Sequence, residues 1–237
     1  MSSTEAHAAP PKARLIRHAQ ASWGSADYDR LSPLGETQAR HLGEWLAADT
    51  ASSYAGVIRG SLRRHAQTLQ AIEAAFAAAG RALPAAIVDP GWNEFEHEPL
   101  LRAYAAAFAD DPNLASAVTG DVRAQRAVLV AAVKAWREGL LDAEVAESWS
   151  AFGARVAAAR ARIASAGARV LIVTSGGPMW RCAQAALGVD DSGLARLDLA
   201  LRNTGISDFR HDNPRWTMLS WNEVPHLSRV EHLHTHY

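Results

Sequence analysis

The chain has 237 residues, with 24 Lys+Arg against 25 Asp+Glu and a formal net charge of −1. At 49 % hydrophobic and 21 % charged residues it has the make-up of a folded protein with a sizeable core, in one large domain or a domain carrying an insertion. Balanced charge argues against a nucleic-acid partner, no apolar run reaches the ~18–20 residues that span a membrane, and the lone Cys182 excludes an internal disulfide and any paired-cysteine zinc site.

Residues 1–12 are rich in Ser, Ala and Pro and read as a disordered tail without a basic and apolar leader pattern, so a cytoplasmic location is expected. Arg14-Leu15-Ile16 reads as a strand that ends in the polar cluster Arg17-His18-Ala19-Gln20. Ser32-Pro33 is a helix start, a capping hydroxyl followed by a proline where no amide is needed. The helix it opens places Ala39, Leu42, Trp45 and Leu46 on one face. Val57-Ile58 is a second strand, closed by Arg59-Gly60-Ser61. A second helix carries Leu62, Ala66, Leu69, Ile72 and Phe76, and Ala86–Val88 is a third strand.

From about Leu100 to Ala166 the pattern is Ala-rich helix, broken near Asp110–Asn113, Thr119-Gly120 and Gly139. A strand returns at Arg169–Val173, followed by Thr174-Ser175-Gly176-Gly177-Pro178 and a helix to Leu187. Ile206–Arg210 and Trp216–Trp221 flank a turn at Asp212–Pro214 and read as a hairpin. Alternating strands and helices predict an α/β domain over 13–224 with a largely parallel sheet, a helical insertion at about 100–147, and a frayed tail over 225–237. His232, His234 and His236 would share a face if that tail were a strand, as in a metal site.

Four polar clusters follow predicted strands, the end of an open α/β sheet at which ligands bind. They are Arg17-His18, Arg64, Glu94 and Thr174-Ser175-Gly176-Gly177. Two arginines supply forked donors that match a phosphate, and glycine-rich backbone at a helix start leaves amides free to face an anion. Cations beside His18 favour its neutral, nucleophilic form. No phosphate-loop or dinucleotide-binding glycine motif occurs, so nucleoside triphosphate and dinucleotide roles lack support.

Taken together, these segments resemble the histidine phosphatase superfamily, the phosphoglycerate mutase-like family. Leu15-Ile16-Arg17-His18-Ala19-Gln20 is similar to its L-[IV]-R-H-G-E, and Leu31–Ala39 to L-T-x-x-G-x-x-Q-A. Gly60–Thr68 is similar to S-P-L-x-R-A-x-Q-T, and Val170–Gly177 to V-L-V-V-S-H-G-G. Asn93-Glu94-Phe95 stands where the family carries an acidic residue. The resemblance implies a three-layer α/β fold with an antiparallel strand in the sheet. It also implies phosphomonoester hydrolysis with His18 as nucleophile and Glu94 as proton donor. Arg17, Arg64, Ser175 and Gly176 would hold the phosphate of a small phosphorylated substrate, and neither metal nor cofactor is needed.

The chain departs from the family at several positions. Gly24 replaces an asparagine that often follows the tryptophan, and Ser175 replaces the second histidine, a donor whose loss typically costs ~10²–10³ in rate. His65 and His97 are candidates to compensate, and Glu96 and Glu98 rival Glu94 as the acid. A non-catalytic binder of phosphorylated ligands and a phosphoglycerate-type mutase stand as alternatives. The identity of the substrate, which the insertion would select, and the oligomeric state are left open.

Overall fold

The computed structural model describes residues 11–22, 27–50, 53–191, 201–212 and 215–236. The chain divides into two compact units, Met1–Glu94 with Val156–Tyr237, and Phe95–Arg155. The insertion expected at about 100–147 lies within the second.

The first unit is built on a sheet of six strands. These are β1 (Lys12–Arg17), β2 (Gly56–Arg59), β3 (Ala86–Val88), β4 (Arg169–Thr174), β5 (Ile206–Asp212) and β6 (Arg215–Met218), in the order β3-β2-β4-β1-β5-β6. The first four run parallel, β5 runs against β1, and β6 against β5. The expected hairpin is thus β5 and β6, although its turn at 213–214 lies outside the described residues, and β5 is the antiparallel strand that the resemblance implied.

Helix α1 (Pro33–Ala48) starts where Ser32 Oγ accepts from Gly35 N at 3.0 Å with proline in the first turn. Helix α2 (Arg63–Ala78) packs along it. A Cβ at Gly43 would lie 2.8 Å from Ala71 O and 3.0 Å from Ile72 Cα, so only glycine lets the two helices meet this closely. Leu42 and Leu46 from α1 and Leu69, Ile72 and Phe76 from α2 bury one face of the sheet with Ile16, Val57, Leu171, Val173 and Ile206. Side chains alternate along a strand, so Leu15, Val170 and Ile172 point to the opposite face, where α7 (Gly176–Leu187) packs on β1 and β6. The result is helix, sheet, helix.

Arg14 shares the α1–α2 face of β1. Its Nε and Nη2 donate to the two oxygens of Asp208 at 2.8 and 2.7 Å. Asp208 is its register partner on β5, and this forked pair favours the alignment of two strands that are far apart in sequence.

The second unit contains α3 (His97–Ala107), α4 (Asn113–Val118), α5 (Val122–Arg137) and the start of α6 (Trp149–Arg162). The breaks fall where the sequence puts them: Gly120 and Gly139 have φ of +95° and +74°, and Asp121 caps α5 through the amides of Arg123 and Ala124. Phe95, Trp136, Trp149 and Phe152 form the aromatic centre, with Trp136 4.9 Å from Phe95 and 5.1 Å from Trp149, ring centre to ring centre.

Two expectations at the ends of the chain need correction. Lys12 is not in a loose tail but opens β1, its amide donating to Ala168 O at 2.8 Å. Residues 225–236 are not frayed either. They form two 3-10 turns, bury Leu227 and Leu233, and are tied down by Gln38 Nε2 to Leu233 O (2.6 Å) and Asn203 N to Thr235 O (2.8 Å). His232 sits in the second turn, so the three alternating histidines do not share a strand face. Among the described residues no group of three or more His, Cys, Asp or Glu could hold a metal ion, and no helix is long and apolar enough to cross a membrane.

Candidate active site

Strand register assembles the site. Arg17 is the partner of Thr174, so the chain leaving β1 at His18 runs beside the chain leaving β4 at Ser175. On the other side of β4, Arg59 pairs with Val173, which brings Gly60 and the first turn of α2, with Arg64 and His65, to the same edge. The sheet order places β1 and β4 side by side at its centre, so their two polar ends meet although Arg17 and Thr174 are far apart in sequence.

His18 is buried. Its Nδ1 lies 2.7 Å from Ala19 O, and Arg64 Nε lies 3.2 Å from its Nε2. A guanidinium has only donors, so Nε2 carries the lone pair and Nδ1 the proton. Burial, then Arg64, Arg17 and His65, hold the His18 pKa well below the ordinary imidazole value, which keeps the ring neutral. The backbone behind it is braced: Thr204 N and Asn203 Nδ2 each lie 3.3 Å from His18 O, with Thr204 in the left-handed region at φ +59°. That conformation is strained for a β-branched residue, and Thr204 holds it with its hydroxyl 2.6 Å from Asn203 O and 2.8 Å from His226 Nε2.

The two arginines are held differently. Arg64 Nη1 pairs with Asp29 Oδ1 at 2.7 Å, and Asp29 Oδ2 also accepts from Arg63 N at the start of α2. Arg17 Nη1 donates to the carbonyls of Leu201 and His236, while its Nε is buried with no hydrogen-bond partner. Burial, opposed by Glu94, lowers the Arg17 pKa from its ordinary value.

Glu94 arrives from the loop after β3. Asn93 secures that loop, accepting from Ser61 N (2.7 Å) and donating to Ser61 Oγ (2.8 Å). The Glu94 carboxylate lies against the start of α7, both oxygens 3.1 Å from Gly177 N. A Cβ at Gly176 would lie 3.7 Å from Glu94 Oε2 and 4.0 Å from Arg17 Nε, so these groups surround the first residue of α7. An anionic oxygen is therefore accommodated here by the Gly177 amide at the start of α7, next to Arg17.

The structure thus brings Arg17, His18, Arg64, Glu94, Ser175 and Gly176 to one edge of the first unit. Glu96 is exposed just before α3, Glu98 is exposed in its first turn, and His97 packs on Phe95 in the second unit. Trp23 and Gly24 lie outside the described residues. His65 is brought in: its ring centre is 5.7 Å from that of His18, and its Nε2 is 2.7 Å from Ser175 Oγ. Sequence reasoning missed Asp29, Asn203 and Thr204; the polar run Asn203-Thr204-Gly205 ahead of a strand was the available signal for the last two. The motif residues Gln38, Gln67 and Thr68 turn out to hold loops, accepting from Gln20 N, Leu31 N and Ala19 N at 2.9, 2.9 and 3.1 Å.

The profile of the histidine phosphatase superfamily (branch 1) matches residues 14–224. The chain belongs to this superfamily. Among solved structures it is similar to a phosphoglycerate mutase from Bacillus anthracis (16 % identity, TM-score 0.62, 93 % of this chain and 96 % of that one). It is also similar to a phosphoserine phosphatase variant from Entamoeba histolytica in complex with phosphoserine (18 %, TM-score 0.60, 92 % and 99 %). A mycobacterial glucosyl-3-phosphoglycerate phosphatase in complex with VO3 matches at 21 % identity and TM-score 0.59, over 90 % and 100 %. No curated protein matches significantly. At these identities the structures establish a phosphoglycerate mutase-like fold, and membership in the superfamily supports a phosphatase or mutase activity.

Proposed function

We propose that this histidine phosphatase superfamily member hydrolyses phosphate monoesters of small molecules through a phosphohistidine on His18. The observation that carries the reading is the tautomer of His18: with Nδ1–H committed to Ala19 O, the lone pair is on Nε2, where it meets Arg64 Nε, a cation that can pass to a phosphoryl oxygen when the lone pair attacks phosphorus. In the first step that lone pair forms a P–N bond as the ester P–O bond breaks. The leaving oxygen takes the bond electrons and a proton from the carboxyl of Glu94. In the second step Glu94 removes a proton from water, the water oxygen bonds to phosphorus, and the P–N electrons return to His18. The sum is ester plus water giving alcohol plus phosphate, with enzyme regenerated. Arg17 and Arg64 neutralise the phosphoryl oxygens, and the Ala19 carbonyl stabilises the charge that Nδ1–H gains while Nε2 is phosphorylated.

Release of inorganic phosphate from p-nitrophenyl phosphate, without a bisphosphate primer, is the expected activity. Acid-labile, base-stable label on the protein is expected after rapid quenching with a 32P-labelled ester. His18→Ala abolishes both while the melting temperature stays within a few degrees. Turnover by His18→Ala at the wild-type rate defeats the reading. Dependence on a bisphosphate primer turns it into a mutase, and no turnover by wild type turns it into a binder.

A further inference from the structure

Ser175 stands at the N-cap of α7, where a serine side chain ordinarily accepts from an amide of the helix it opens. Here it makes no such bond. Its hydroxyl is instead engaged at 2.7 Å by Nε2 of His65, a fully buried histidine from the first turn of α2. His65 is itself enclosed. A Cβ on Gly60 would overlap its Nδ1 and lie 2.7 Å from its Cε1 and 2.6 Å from Asn93 Oδ1, so the ring fits only because residue 60 has no side chain. Nδ1 is buried without a hydrogen-bond partner. A buried N–H without a partner is rarer and costlier than an unused lone pair, which puts the proton on Nε2. His65 therefore donates to Ser175 Oγ, and the Ser175 hydroxyl proton is left to bond elsewhere.

Three positions where the chain departs from the motifs quoted above are Gly60 for serine, His65 for alanine and Ser175 for histidine. They are neighbours in space. A histidine lost from the turn before α7 is matched by one gained on α2, and a side chain lost at Gly60 makes its room.

We propose that His65 is the positioning residue of this site: it acts through Ser175, fixing the hydroxyl so that its proton is donated to the phosphoryl group seated at His18. The inference rests on the hydrolase reading and adds the source of the donor that the motif places at position 175. Because the donor matters most as charge builds on the phosphoryl oxygens, its loss appears in kcat more than in KM.

The test compares wild type with His65→Gln, which keeps an N–H of similar reach, and His65→Leu, which keeps volume without a donor. Ser175→Ala and the Ser175→Ala/His65→Leu double variant complete the set. Kinetics use p-nitrophenyl phosphate, and affinities for orthovanadate and orthophosphate are measured by tryptophan fluorescence. His65→Leu and Ser175→Ala should each lower kcat on the order of ten- to a hundredfold with KM within about threefold, and the double variant should be no worse than either single. His65→Gln should recover most of kcat at a melting temperature similar to that of His65→Leu. Vanadate affinity should fall in step with kcat while phosphate affinity changes little.

Independent, multiplying effects of the two single changes would overturn the proposal. So would a His65→Gln as slow as His65→Leu, or a His65→Leu with wild-type kcat. Failure of the parent reading looks different: wild type itself would not turn over. In that event unchanged vanadate affinity in His65→Leu would also remove His65 from the anion site.

Discussion

Both units of this chain bury apolar side chains, but among the described residues the buried polar side chains all belong to the α/β unit. In the α/β unit the ends of β1 and β4 enclose His18, Arg64, His65, Thr174 and Ser175, each with a named partner. The helical unit encloses Phe95, Trp136, Trp149 and Phe152, and leaves Val118, Val122 and Val130 exposed. A buried polar group is tolerated only while its partner stays, so one change in the first unit strands a second residue. Apolar packing in the second loses area and leaves a cavity, in proportion to the atoms removed.

The largest contrast is expected from Arg64→Ala. It removes the cation that faces His18 Nε2 and the partner of Asp29 together, so if Arg64 binds phosphate as proposed, kcat/KM should fall by roughly 10²–10³-fold. Wild-type kcat/KM in this variant would mean that the polar edge is structural. Trp136→Ala is the matching cut in the helical unit. Its ring contacts Phe95, Trp149 and Phe152, and truncation should cost about 3–5 kcal/mol in urea unfolding. A cost below ~1 kcal/mol would show that the aromatic centre is not what holds the helices.

Acidity should separate the units next. Burial first, and then neighbouring cations, depress the His18 and His65 pKa values well below 6.5, while burial lowers that of His226 to about 3. Below about pH 6.5 the unfolded chain therefore binds protons that the folded chain does not. The stability present above that pH is lost as pH falls, each histidine contributing at most about 1.4 kcal/mol per pH unit until its own folded value is reached. Melting temperatures should drop steadily between pH 7 and pH 5, less steeply in His65→Leu; a flat profile would contradict the neutral, buried histidines. The smallest effect belongs to Val130→Ser on the outer face of α5, within about 0.5 kcal/mol of wild type.

What could be read in advance follows the same division. Arg17-His18, Arg64 and Ser175-Gly176 were visible because their chemistry is carried by residue type, next to strands short and apolar enough to recognise. Helix α1 was visible from Ser32-Pro33, and the helical breaks from Gly120 and Gly139. For His65 the sequence offers only a candidate beside His97, because its contact with Ser175 depends on a missing side chain at Gly60 and on a serine 110 residues away. Residues 225–236 were misread as frayed because many of their ties run through backbone carbonyls, such as Leu233 O to Gln38 and His236 O to Arg17. Every residue has a carbonyl, so those ties leave no mark in composition. Asp29 carries no signal in the sequence, because its part comes from the placement of its two oxygens on Arg63 N and Arg64 Nη1.

The order of strands also bears on how the molecule is made. β1, at Lys12–Arg17, is synthesised first, yet its two neighbours in the sheet are β4 at Arg169–Thr174 and β5 at Ile206–Asp212. A growing chain therefore carries the His18 strand without either neighbour until β4 has been made, and no fragment that stops before β4 contains the site. Contacts this distant in sequence slow folding and leave an apolar strand open to wrong pairing. The incomplete chain, more than the folded protein, is the stage at which this topology leaves strand edges exposed.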